Sequence, residues 1–129
     1  MTLNLDCMRD ILFEAEKCKY NETLPIRQLE NHLTQYYNET IRYNCLKLYE
    51  AGYIDAVCVH VDNSPLPYIH EIIDISYQGH EFISNVRKSE NWERTKAIGE
   101  KAGCFGLNMA GKIAEGVATA YLKQVLGIS

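Results

Sequence analysis

The chain has 129 residues, 47% of them hydrophobic and 23% charged, with 17 Asp and Glu against 13 Lys and Arg for a formal charge of −4. That length holds one ordinary core with a small helical appendage, and the composition excludes a chain made mainly of disordered polar segments. The acidic balance excludes the broad basic footprint of a protein that grips nucleic acid by charge alone. Acidity is concentrated early: residues 1–62 carry six Lys or Arg against ten Asp or Glu.

In chain order, Leu5, Met8, Ile11, Leu12, Ala15 and Cys18 recur at helical spacing, predicting a first helix over residues 6–19 with Asn4 or Asp6 as its cap. Thr23 followed by Pro25 reads as a cap with proline in the first turn, opening a second helix through Ile26, Leu29 and Leu33. A tyrosine-rich turn leads to residues 38–54, NETIRYNCLKLYEAGYI, the most informative stretch. It predicts a third helix over residues 38–51 with Ile41, Cys45, Leu48 and Tyr49 on its apolar stripe, stopped by Gly52 in the left-handed conformation. Residues 53–62 and 68–75 are β-rich runs separated by Asn63-Ser64-Pro65-Leu66-Pro67, and they predict a hairpin.

Ser76 caps a fourth predicted helix with Phe82, Ile83 and Val86 on one side. A fifth helix over residues 91–102 places Trp92, Thr95, Ile98 and Ala102 together and stops at Gly103, and Phe105 and Gly106 form a joint. The last helix aligns Ala110, Ile113, Ala114, Val117, Ala118, Tyr121, Leu122 and Val125, with Lys112, Glu115 and Lys123 interrupting any membrane span. The predicted fold class is α+β: a winged helix-turn-helix over residues 1–88, with three helices and a β-hairpin wing, followed by C-terminal helices over residues 89–129 that form a dimerisation element.

The outward face of the third helix carries the candidate DNA contacts Asn38, Thr40, Arg42, Tyr43 and Lys47. Arg42 is the best base-reading candidate, since a bidentate contact to guanine contributes ~1–3 kcal/mol of discrimination. Glu39 opposes this, because it can pair with Arg42 three residues later and repels phosphate. The hairpin tip, residues 62–68, has no Lys or Arg to enter a minor groove. Among the nearby tyrosines, Tyr49 and Tyr53 read as structural and Tyr36, Tyr37 and Tyr43 as exposed. The small-residue row Ala110, Ala114 and Ala118, beside Ile113, Val117 and Tyr121, is the candidate homodimer interface.

No catalytic motif is present, so no enzymatic activity and no cofactor is expected. Cys7, Cys18, Cys45, Cys58 and Cys104 lack C-x-x-C spacing and read as free thiols, and Cys58, His60 and His70 are read as sheet residues rather than metal ligands. His80 beside Glu81 is not read as an acid-base pair, because adjacent helical residues point apart. With Asp6, Arg9 and Asp10 near the start, no secretory leader is expected and the cytoplasm is the expected location.

Three segments carry a resemblance: LDCMRDIL, LYEAGYIDA and ISYQGHEFISNVRKSENWERTK. Together they resemble the bacterial and phage-associated family called domain of unknown function 2513, most specifically in Gly79-His80-Glu81-Phe82 with Trp92 and Thr95 downstream. The resemblance implies a winged-helix-like N-terminal region with C-terminal helices and a small regulatory or accessory role, and it brings no catalytic residue. Asn44 stands where such proteins often carry histidine. Two functions follow as expectations: a dimeric regulator that places its third helix in the major groove of double-stranded DNA, or a protein-interaction adaptor that kept the scaffold and lost the basic surface.

Overall fold

The computed structural model describes residues 1–103 and 105–128, so the thiol of Cys104 lies outside the described residues. The protein is α+β: the described residues form six helices and one three-stranded antiparallel sheet. It divides into two compact units, Met1–His80 and Glu81–Ser129.

In the first unit, α1 (Leu5–Glu16) opens at Asn4, whose extended backbone lets its Oδ1 accept the Cys7 amide at 3.0 Å. The helix ends at Glu16, earlier than its apolar stripe predicts, because Lys17 and Cys18 bond back to Glu14 and Ala15 in a tightened last turn. The next segment corrects the expected helix cap at Thr23. Leu24–Pro25 is a short strand, β1, pairing antiparallel with Ile72 and Glu71, and Thr23 donates its hydroxyl to Glu71 at 2.9 Å. Proline fits there because an edge position needs no donor on its open side. Pro25 is then the residue before α2 (Ile26–His32), without any side-chain cap.

Next, α3 (Asn38–Glu50) buries Ile41, Cys45 and Leu48 as its stripe predicts, whereas Tyr49 is half-exposed. Gly52 ends it with φ +80°, its amide reaching the Tyr49 carbonyl at 3.1 Å. The hairpin follows as β2 (Ile54–Val59) and β3 (Tyr68–Ile75), with sheet order β1-β3-β2. Register is set by two bulges. Ile54, Ala56 and Cys58 on β2 face Ile75, Ile72 and Ile69 on β3, a spacing of two against a spacing of three. Only extra residues at Ile73 and His70 allow Ile69, Ile72 and Ile75 all to point inward, and Ile73 is left exposed. His60 falls outside β2 and His70 is a bulged residue, so the two are not cross-strand partners.

Polar atoms fix the position of α1 against α3. Asn44 is fully buried, accepts the Asn4 amide at 2.8 Å and donates to the Thr40 carbonyl at 2.8 Å. The residue that caps α1 is therefore itself held by the core of α3. Ser76 makes a similar joint: its hydroxyl donates to the Gly52 carbonyl at 2.6 Å and accepts from the Gly79 amide at 3.1 Å.

The division between units falls within α4 (Tyr77–Val86), which is followed by α5 (Ser89–Ala102) and α6 (Leu107–Leu126). Phe82, Ile83 and Val86 are buried as expected, and the Phe82 ring meets Trp92 edge-on at 6.3 Å. The stripe of α5 is corrected: Trp92, Thr95 and Gly99 are buried, while Ile98 and Ala102 are exposed. Phe105 folds back over Gly99 so closely that a Cβ there would lie 2.1 Å from its ring, which is why the smallest residue occupies the inward position. No described helix is long and apolar enough to cross a membrane.

Two outcomes are expected. Asn44→Ala leaves the Asn4 amide without its partner and lowers stability by about 1–3 kcal/mol in urea unfolding, against a change within about 0.5 kcal/mol for Tyr37→Ala at an exposed position. Equal effects would mean that the buried amide is dispensable. Burial also pushes the free thiols of Cys7 and Cys45 up to about 12 from an ordinary 9.0, with the Asp10 charge adding to the effect on Cys7. The folded state keeps protons that the unfolded chain releases. Stability therefore falls as pH rises from about 9 toward 12, by up to ~1.4 kcal/mol per pH unit for the Cys45 thiol, and Cys45→Ala flattens the slope.

Candidate functional site on the third helix

On the helix that buries Ile41, Cys45 and Leu48, 3.6-residue geometry turns Glu39, Arg42, Tyr43, Lys47 and Glu50 toward the opposite side. The environment of Arg42 decides what that side presents. Its Nε donates to Glu30 Oε2 at 2.7 Å and a terminal nitrogen donates to Oε1 at 3.3 Å, a forked pair reaching α2. The partner is Glu30 rather than the Glu39 that helical spacing suggests. Glu30 lies beside Leu29 on the inward side of α2, with only 7% of its side chain exposed, so its carboxylate needs a charged donor. The pairing raises the Arg42 pKa further, through the hydrogen bond first and the charge of Glu30 second.

Lys47 is engaged as well. Its Nζ lies 2.8 Å from Glu50 Oε1 and 5.2 Å from the centre of the Tyr43 ring. The Glu50 hydrogen bond is the main cause raising its pKa. Both cations proposed for DNA contact therefore face carboxylates of their own chain. Of the remaining candidates, Asn38 is exposed at the first position of α3, Tyr43 is half-buried, and the Thr40 carbonyl accepts from Asn44. The whole first unit holds six Lys or Arg against twelve Asp or Glu.

Aromatic groups gather where α3 begins. Tyr37 is 86% exposed, and with Tyr36, Asn38 and Glu39 it lines an open depression of about 610 Å³. Tyr36, expected to be exposed, is anchored: its hydroxyl donates to Asp10 on α1 at 2.6 Å, and burial followed by that bond raises its pKa. Tyr49 and Tyr53 are half-buried.

The candidate dimer residues lie on α6. Ala110, Ala114 and Val117 are buried within their own chain, where α6 packs against α5, while Ile113, Ala118 and Tyr121 are half-buried. Leu122 and Val125, placed on the same predicted stripe, are exposed. Among the described residues, no three His, Cys, Asp or Glu side chains group as metal ligands. His80 is exposed in the first turn of α4.

Sequence reasoning missed Glu30. Its signal is a carboxylate at inward helical spacing, three residues before Leu33, and such a residue calls for a cation from a neighbouring element.

Replacing Arg42 with Ala strands the buried carboxylate and is expected to cost more stability than Glu30→Gln, which keeps the shape and removes the charge. A double-mutant cycle over Glu30 and Arg42 should give a coupling of about 1–2 kcal/mol, above the ~0.2–1 kcal/mol of fully exposed pairs. A coupling near zero would show that the fork is not held in solution.

A family model described as hypothetical protein (DUF2513) matches residues 2–105. A search of curated proteins and a search of solved structures each returned no match. The chain belongs to the DUF2513 family, whose description names no activity, ligand or partner.

Proposed function

We propose that this DUF2513 member is a non-catalytic protein-interaction module built on a winged-helix scaffold, whose third helix does not read DNA. Support for the scaffold comes from the element order α1-β1-α2-α3-β2-β3 and the strand order β1-β3-β2. These place α3 after a short second helix and before a hairpin, as a winged helix does.

The observation that carries the functional reading is the engagement of Arg42 by Glu30. A base-reading arginine presents a paired edge of its guanidinium, and here both oxygens of a buried carboxylate take the edge formed by Nε and one terminal nitrogen and turn the group toward α2. Lys47 makes a single contact to the half-exposed Glu50 one turn along α3, and Glu39 adds an exposed negative charge at the helix start, where phosphate would otherwise approach. Against this background Tyr37 is a large amphipathic anchor with nothing over it, of the kind enriched at protein interfaces. The excess of carboxylates in this unit favours a partner that presents Lys and Arg.

The test has two arms. In fluorescence anisotropy, the wild-type protein should not bind random-sequence duplex DNA even at low salt, where phosphate attraction is least screened. The Glu30→Gln, Glu50→Gln variant frees Arg42 and Lys47 and should gain non-specific binding, with a salt slope steeper by ~0.9 for each phosphate contact formed. In cells, a photo-crosslinking residue at position 37 should yield a protein adduct that Glu39→Lys abolishes. Salt-dependent binding of duplex DNA by the wild-type protein, lost in Arg42→Ala, would overturn the proposal in favour of a DNA-binding regulator.

A further inference from the structure

The second unit reverses the charge balance of the first, with seven Lys or Arg against five Asp or Glu. It contains a depression of about 630 Å³ between the C-terminal part of α4, the start of α5 and α6. The chemistry of its wall is one-sided. Arg87 and Lys88 supply two cations, Asn85 and Asn91 supply amides, and Tyr121 supplies a phenol, while no residue lining it carries a carboxylate. By contrast, the depression of about 580 Å³ in the first unit is lined by Glu16, Glu22 and Asp74.

Lys88 is held in place rather than left to wander. Its ammonium sits 4.1 Å from the centre of the Tyr121 ring and hydrogen-bonds the Tyr121 hydroxyl. An ammonium has three donors, so two remain for a ligand after Tyr121 takes one. Among the described residues, the side-chain amides of Asn85 and Asn91 have no hydrogen-bond partner, leaving their donors available as well. Glu90 acts on Lys88 electrostatically but is not part of the wall. Anions are the ligands such a wall selects: a phosphoryl group has several acceptor oxygens and no donor once ionised, and its charge matches the cation pair.

We propose that this depression binds a phosphorylated small molecule, with Lys88 on the phosphoryl oxygens, Asn85 and Asn91 completing the contacts, and Arg87 adding its charge to the wall. The volume is within the ~300–1,000 Å³ range of small-molecule sites, so there is room for more than a bare phosphate. This site is separate from the surface of α3 and does not depend on the interaction proposed for it.

The experiment is a titration of the full-length protein, followed by amide chemical shifts, with inorganic phosphate and a nucleoside 5′-monophosphate in separate arms. Chloride at matched ionic strength is the control, and duplex DNA forms a third phosphate-bearing arm. Saturable shifts confined to residues around Lys88, Asn91 and Tyr121 are expected in a phosphate arm and absent with chloride. Tighter binding of the nucleotide would assign the rest of the depression to its sugar and base, and equal binding of inorganic phosphate would count against a phosphorylated small molecule as the occupant. Lys88→Gln should weaken the binding about tenfold or more. Asn91→Asp places a carboxylate in the wall within the first turn of α5, where a negative charge favours the helix. It should abolish binding without loss of thermal stability, separating the site from the fold. Shifts that do not saturate, that are the same with chloride, or that survive in both variants would overturn the proposal. So would binding seen only with duplex DNA.

Discussion

A carboxylate inside the first unit constrains much of what surrounds it. Glu30 sits on the inward side of α2, a seven-residue helix with no side-chain cap, and its charge cannot stay buried without a donor. Arg42 supplies that donor from α3 through both oxygens. The pairing joins α2 to α3, while Leu24 and Pro25 fix the start of α2 against β3. Arg42 itself stays more than half exposed, with one edge of its guanidinium turned to Glu30. Arg42 thus ties α2 to α3 through two of its five donors.

Much of the fold was legible in the sequence where a signal was local. Asn4 as a cap, Gly52 as a helix stop, Ser76 before α4 and the proline-containing loop between β2 and β3 all act through their immediate neighbours, and each is where its chemistry places it. Features that depend on distant partners were not legible. The strand β1 is two residues long and one of them is proline, so no periodicity marks it; its partner Ile72 is 48 positions from Leu24. The spacing of Ile69, Ile72 and Ile75 was visible but ambiguous, since a period of three becomes a strand only when bulges absorb the extra residues. Ile98 looked inward by helical spacing, and the ring of Phe105 decided for Gly99 instead.

The candidate site followed the same rule. Helical geometry placed Arg42, Tyr43 and Lys47 on the side of α3 away from its apolar stripe. Lys47 meets Glu50 on its own helix, but the partner of Arg42 came from elsewhere: Glu30 is twelve residues before it and on another helix. Asn44, a polar residue among apolar neighbours, is buried because it holds the Asn4 amide 40 positions away. The two units also differ in charge, six cations against twelve carboxylates in one and seven against five in the other. That asymmetry places an acidic, tyrosine-bearing surface in the first unit and a donor-lined depression in the second.

The Arg42 Nε–H resonance of an isotope-labelled sample tests the central claim most directly. A fork held by Glu30 predicts a resonance protected from rapid exchange with water, displaced by Glu30→Gln and unmoved by random-sequence duplex DNA. A resonance indifferent to Glu30→Gln, or one that shifts as DNA is added, would contradict the account, because Arg42 would then be free to leave α2 for a nucleic acid.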